Sequence, residues 1–245
     1  MSSPDRSTLS CPGAEIFYVT YPSPFAGAPD LVLLHGNGED HTYFSQQIAA
    51  LSPHFRLVLM DTRGQGRSSG IEGPLDFSTF AGDLLCLLDH LHIRRAHLLG
   101  FSDGGNLALT FALQYPQRVR SLILNGANLY PSGMCLPVLL STAAEYAAAL
   151  LLSPFWVKAR HRASLLGLMV HHPHIAPRAL SSLTVPALIL VGQHDMIRHS
   201  HSRLIASSLP NARFVCMPGA DHFCAAKQPD AFNRIVLDFL QHLSA

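Results

Sequence analysis

Ser102 stands in Gly100-Phe101-Ser102-Asp103-Gly104, a G-x-S-x-G spacing. A serine hydroxyl is a poor nucleophile by itself. It needs a general base to take its proton, and the base needs a third group to fix its tautomer. Two later segments supply both. Gly192-Gln193-His194-Asp195 holds a carboxylate, and Pro218-Gly219-Ala220-Asp221-His222 holds an imidazole. We assign Ser102 as nucleophile, Asp195 as orienting carboxylate and His222 as base. Serine, acid, histidine is the chain order expected when the serine sits on a strand–turn–helix elbow. Each residue alone has a plainer reading: an incidental serine in a glycine-rich turn, a turn aspartate, a surface-loop histidine. Their occurrence after successive strand candidates separates them from those readings. Asp221 and His194 are the nearest residues of the same types.

Acyl chemistry also needs N–H donors for the oxyanion. The peptide N–H of Asp103 falls at a helix start. The second donor is expected in His35-Gly36-Asn37-Gly38, after an early strand, with the N–H of Asn37 as the best placed. Gly36 and Gly38 let backbone approach a substrate, and Phe101 and Asp103 are added to the expected substrate-binding set. His35 reads as a brace for this loop. Asp61-Thr62-Arg63-Gly64-Gln65-Gly66-Arg67-Ser68 has glycines but lacks G-x-x-x-x-G-K, so it reads as a packed, hydrogen-bonded turn. His171-His172-Pro173-His174 and His199-Ser200-His201 have no partner pattern such as H-E-x-x-H. They read as solvated or packing histidines, with no metal and no cofactor implied.

These residues must be positioned by regular elements. Apolar runs at 31–34, 56–60, 96–99, 121–125, 187–191 and 213–217 read as buried strands. Helical segments are expected at 41–51, 78–91, 103–115, 201–208 and 230–243. In 78–91, Phe80, Leu84, Leu87, Leu88 and Leu91 make one apolar face. Residues 15–21 read as an antiparallel edge strand or hairpin. The alternation predicts an α/β fold, a mostly parallel doubly wound sheet with helices on both faces. Residues 129–183 contain no strand candidate and five prolines. We read them as a helical cap inserted into a core of 1–128 and 184–245. The cap is expected beyond the carboxyl ends of the strands, where ligands bind. Its apolar run at 147–152 is expected to pack inward.

Composition limits the partners. The 245 residues are 48% hydrophobic and only 13% charged, with a net charge of +1. About 25% charged is usual, and a net charge of +1 leaves no electrostatic footprint for nucleic acid or an anionic membrane. The longest apolar stretch, 136–157, is interrupted by Ser141, Thr142, Glu145 and Pro154, so stable membrane insertion is not expected. Five cysteines without a CxxC and a polar N-terminus lead to a cytoplasmic, reduced protein. The expected partner is a small-molecule substrate; oligomeric state is not legible.

Taken in order, these motifs resemble the α/β-hydrolase superfamily along nearly the whole chain. Leu98-Leu99-Gly100-Phe101-Ser102-Asp103-Gly104-Gly105, followed by Asn125-Gly126-Ala127-Asn128, is similar to the small-cap, valacyclovir-hydrolase-like branch. The resemblance implies a cofactor-free serine hydrolase with a short helical cap. It also implies that Asp103 holds a substrate ammonium group, which would favour α-amino-acid esters; Asp103 as a simple helix-start aspartate is the other reading. The family's first hairpin looks abbreviated, with only residues 14–21 available. The expected reaction is hydrolysis of a small carboxylic ester, thioester or lactone through an acyl-enzyme. The alternatives are carbon–carbon bond hydrolysis on the same three residues, and a ligand-binding signalling protein on this scaffold. A third is an enzyme working at a lipid interface.

Overall fold

A computed structural model of the chain describes residues 3–70 and 75–243. Eight strands form one sheet: β1 (Asp5–Cys11), β2 (Ala14–Tyr21), β3 (Asp30–Leu34), β4 (Arg56–Met60), β5 (Ala96–Phe101), β6 (Val119–Asn125), β7 (Ala187–His194) and β8 (Ala212–Asp221). Their spatial order is β1-β2-β4-β3-β5-β6-β7-β8. β2 pairs antiparallel with both β1 and β4, and every later pair is parallel. The helices are α1 (Ser45–Leu51), α2 (Phe77–His90), α3 (Asp103–Gln114), α4 (Leu136–Leu152), α5 (Val157–His171), α6 (His199–Ser208), α7 (Cys224–Lys227) and α8 (Pro229–His242).

The period-two alternation of strand side chains builds two cores, one on each face of the sheet. Val32 and Leu34 point into a layer with Phe80 and Leu84 of α2 and Phe111 of α3. Leu31 and Leu33 point the other way, into a layer with Phe44, Leu51 of α1 and Phe232 and Val236 of α8. Both faces are therefore covered, which is why the central strands read as continuous apolar runs. The chain leaves β4 on one side of β3 and enters β5 on the other. That reversal opens a crevice beyond the carboxyl ends of β3 and β5, the place where such sheets bind ligands.

Three expectations need correcting. The hairpin is complete: β1 pairs with β2 from Asp5↔Thr20 to Cys11↔Ala14. β1 escapes a hydrophobic pattern because it is an edge strand with mostly exposed side chains. The segment expected as one helix at 41–51 is a 3₁₀ turn, His41–Phe44, capped by Asp40, followed by α1. The apolar run at the end of α4 does not pack inward: Leu150, Leu151 and Leu152 are exposed. α4 meets α5 through a small cluster of Ala149, Ala163 and Leu166, with Tyr146 and Met169 beside it. Thr142 and Ala149 are the buried residues of α4.

Candidate active site

β5 is buried along its whole length and ends at Phe101. Ser102 follows with φ 52° and ψ −116°, between β5 and the first residue of α3. A non-glycine residue at positive φ costs of order 1–3 kcal/mol and must be held by its surroundings. Here the Ser102 N–H donates to Asn125 O at 2.7 Å, and its carbonyl accepts from Gly105 N and Asn106 N. The turn is tight enough that a Cβ on Gly104 would lie 2.0 Å from Leu34 O. Glycine there is a steric requirement. The turn lifts the Ser102 hydroxyl out of the strand's hydrogen-bonded plane.

β7 and β8 stay paired past their apolar centres, with Gly192 opposite Met217 and His194 opposite Asp221. Asp195 and His222 therefore leave the sheet as neighbours. His222 Nδ1 donates to Asp195 Oδ1 at 2.7 Å, and His222 Nε2 lies 3.1 Å from Ser102 Oγ. Asp195 also accepts from Ile197 N at 2.9 Å, which fixes its carboxylate. With Nδ1 committed to Asp195, Nε2 is the nitrogen free to take the serine proton. Both Asp195 and His222 are buried. The imidazole fits because residue 126 is glycine: at its φ of +64° a Cβ would stand 2.6 Å from His222 Cε1. Phe101 supports the ring from the strand side at 4.8 Å between centroids and stacks on Tyr43 at 4.3 Å. Phe101 is only 1% exposed, so it shapes the site from beneath and offers no free face.

The loop after β3 is held on three sides. His35 is buried; its Nδ1 meets Gly36 O at 2.8 Å and its Nε2 accepts from Thr62 N at 3.0 Å. Gly36 N donates to Glu39 Oε2 at 3.1 Å, and Gly38 N donates to Gln65 Oε1 at 2.6 Å. The Asn37 N–H finds no acceptor among the described residues, nor does the Asp103 N–H that opens α3. The Asn37 side chain is engaged twice, donating to Asp103 Oδ2 and to Leu165 O of α5, both at 2.8 Å. Asp103 also accepts from Asn106 Nδ2 at 3.3 Å. Burial pushes the Asp103 carboxyl up to about 6, against the pull of those two amides.

The chain matches the family model described as alpha/beta hydrolase fold over residues 29–157. It belongs to the α/β-hydrolase family. A protein of Pseudomonas savastanoi pv. phaseolicola, named "Putative carbamate hydrolase RutD", is 30% identical, over 92% of this chain and 98% of its own. The 2-hydroxy-6-oxononadienedioate/2-hydroxy-6-oxononatrienedioate hydrolase of Paraburkholderia phymatum is 28% identical, over 91% of this chain and 90% of its own. Among solved structures, the enol-lactonase of Burkholderia xenovorans LB400 superposes with a TM-score of 0.80 at 26% identity. That match covers 96% of this chain and all of the other.

In this α/β hydrolase the other motifs fall outside the Ser102–His222–Asp195 cluster. The turn at Asp61–Ser68 is hydrogen-bonded: Asp61 accepts from His41 N and Arg67 N, and Ser68 Oγ donates to Asp61 O. Arg63 makes a two-pronged contact with Asp83 at 2.6 and 2.9 Å. His201 is buried and accepts from Leu129 N, His172 packs on Phe77, and Asp221 pairs with Lys227 at the surface. The roles of two residues near the site escaped the sequence reading. Glu39 has a carboxyl pushed up to about 7 by burial, with His222 near enough to draw it back. Gly126 clears space for the imidazole, and no local pattern announces a residue whose function is to be small.

Proposed function

We propose that this hydrolase cleaves small carboxylic esters through an acyl-enzyme on Ser102. The observation that carries this reading is the continuous hydrogen-bonded line from Asp195 through His222 to Ser102, beside two unengaged backbone N–H groups. As Ser102 Oγ attacks the carbonyl carbon, its proton passes to His222 Nε2. Asp195 stabilises the imidazolium. The carbonyl oxygen gains negative charge and is held by the N–H groups of Asn37 and Asp103. Collapse expels the alcohol, which takes the proton from His222. Water, deprotonated by His222, then attacks the acyl-enzyme and frees the acid and Ser102. The five unpaired cysteines support work in a reducing compartment, the cytoplasm.

Asp103 is better supported as a brace for Asn37 than as a holder of a substrate ammonium, because both of its oxygens already accept from side-chain amides. Carbon–carbon bond hydrolysis stays as the second reading because it can use the same three residues and a relative is named as a hydrolase of 2-hydroxy-6-oxononadienedioate, a substrate with no ester bond in its name. Labelling by a fluorophosphonate probe, lost in Ser102→Ala, tests the nucleophile. Turnover of a panel of 4-nitrophenyl esters, aryl carbamates, lactones and a vinylogous β-diketone then ranks the bonds cleaved. Labelling without turnover of any of them would support a receptor instead of an enzyme.

A further inference from the structure

The outer face of the cap is unusually apolar. Along α4, Leu136, Leu140, Ala144, Ala147 and Leu151 recur at helical spacing, and all are exposed. The row continues into the turn before α5, where Phe155 is 78% exposed, Trp156 60% and Val157 77%. At about 1.5 Å per residue the α4 row alone is about 22 Å long. Scattered surface leucines need no explanation, but a continuous apolar face does.

Charge indicates what covers it. Segment 129–183 contains four cations and one acid, a net +3, whereas the rest of the chain holds 13 cations and 15 acids. The one acid, Glu145, is paired with Arg162. Lys158 and Arg160 stand exposed beside Phe155, Trp156 and Val157, with no carboxylate partner among the described residues. Two copies meeting through this face would oppose like charges. Aromatic residues flanked by free cations fit the boundary of an anionic lipid layer, where rings enter the headgroup region and cations meet phosphate.

We propose that the cap rests on anionic lipid surfaces, with the exposed face of α4 and the turn at Phe155–Trp156 entering the headgroup layer. The helix lies in the plane, since no helix among the described residues is long and apolar enough to cross a membrane. The site beneath the cap would then receive esters from the lipid boundary as well as from water.

The chain holds a single tryptophan, Trp156, so its emission reports this contact directly. The full-length protein is titrated with phosphatidylcholine vesicles containing phosphatidylglycerol and with pure phosphatidylcholine vesicles, and binding is checked by sedimentation. A blue shift with the anionic vesicles is expected, weakening as salt is added. K158Q/R160Q is expected to weaken binding by about fivefold per cation, and L151S/F155S by about tenfold or more. Hydrolysis of a water-soluble ester is expected to stay at the wild-type rate in both variants, which separates this inference from the hydrolase reading. No blue shift, equal affinity for neutral vesicles, or a concentration-dependent dimer that L151S/F155S dissolves would each overturn it.

Discussion

Asp103→Asn tests the electrostatics at the start of α3, where Asp103 braces Asn37. The carboxyl is nearly buried, and burial raises it from 3.8 to about 6. That is about two pH units, or roughly 3 kcal/mol, by which ionising Asp103 is harder in the fold than in the unfolded chain. The sign follows from linkage. Below about pH 4 the residue is protonated in both states and no cost is felt. As pH rises through about 6, the unfolded chain has released its proton and the fold must release one into a buried site, so stability falls. An asparagine has no proton to release. The unfolding free energy of Asp103→Asn, relative to wild type, is therefore expected to climb by roughly 3 kcal/mol between about pH 4 and pH 8. Urea unfolding across that range measures it, and other titrating groups cancel in the difference. Curves that run parallel for the two proteins would show that Asp103 titrates as an ordinary carboxylate, and the account of this buried amide–carboxylate contact would fail. The same variant tests substrate recognition: the preference between an α-amino ester and its des-amino analogue is expected to be equal in both proteins. A preference that Asp103→Asn abolishes would restore the ammonium role.

Four further outcomes are expected. Ser102→Ala should lower kcat by about 10⁴–10⁶-fold, read with any ester the wild type turns over. Asp195→Asn leaves the ring unable to hold its tautomer and should cost about 10⁴-fold in kcat. Gly126→Ala places a methyl 2.6 Å from His222 Cε1; a displacement of that order is expected to lower kcat by about 10²-fold, with fold retained by circular dichroism. Arg63→Ala strands the buried Asp83 carboxylate and should destabilise by about 3–5 kcal/mol in urea.

The central strands were legible in the sequence because they are buried on both faces, so composition alone marks 31–34 or 121–125 without any need for periodicity. Ser102, Asp195 and His222 come together for a related reason: each stands immediately past the end of a strand, and a parallel sheet brings the carboxyl ends of its strands to one edge. Illegible parts share the opposite property. β1 covers little, so Arg6, Ser7 and Thr8 carry no apolar signal. The direction in which the apolar end of α4 faces depends on which helix lies beneath it, and composition is blind to that. Leu150–Leu152 has the look of core and is surface.

The same limit governs the chemistry around Ser102. The oxyanion role proposed for Asn37 rests on its neighbours, since Gly36 and Gly38 have spent their N–H groups on Glu39 and Gln65. Its side chain ties the loop after β3 to Asp103 on α3 and to the Leu165 carbonyl of α5, so the position of α5 and the orientation of Asn37 are mechanically joined. A movement of α5 that draws Leu165 away would release one of the two acceptors that orient Asn37. Substrate choice in this hydrolase is therefore expected to depend on cap residues that never touch the reacting carbonyl. The relatives fit that view: proteins of similar sequence and fold bear names as different as carbamate hydrolase, enol-lactonase and 2-hydroxy-6-oxononadienedioate hydrolase.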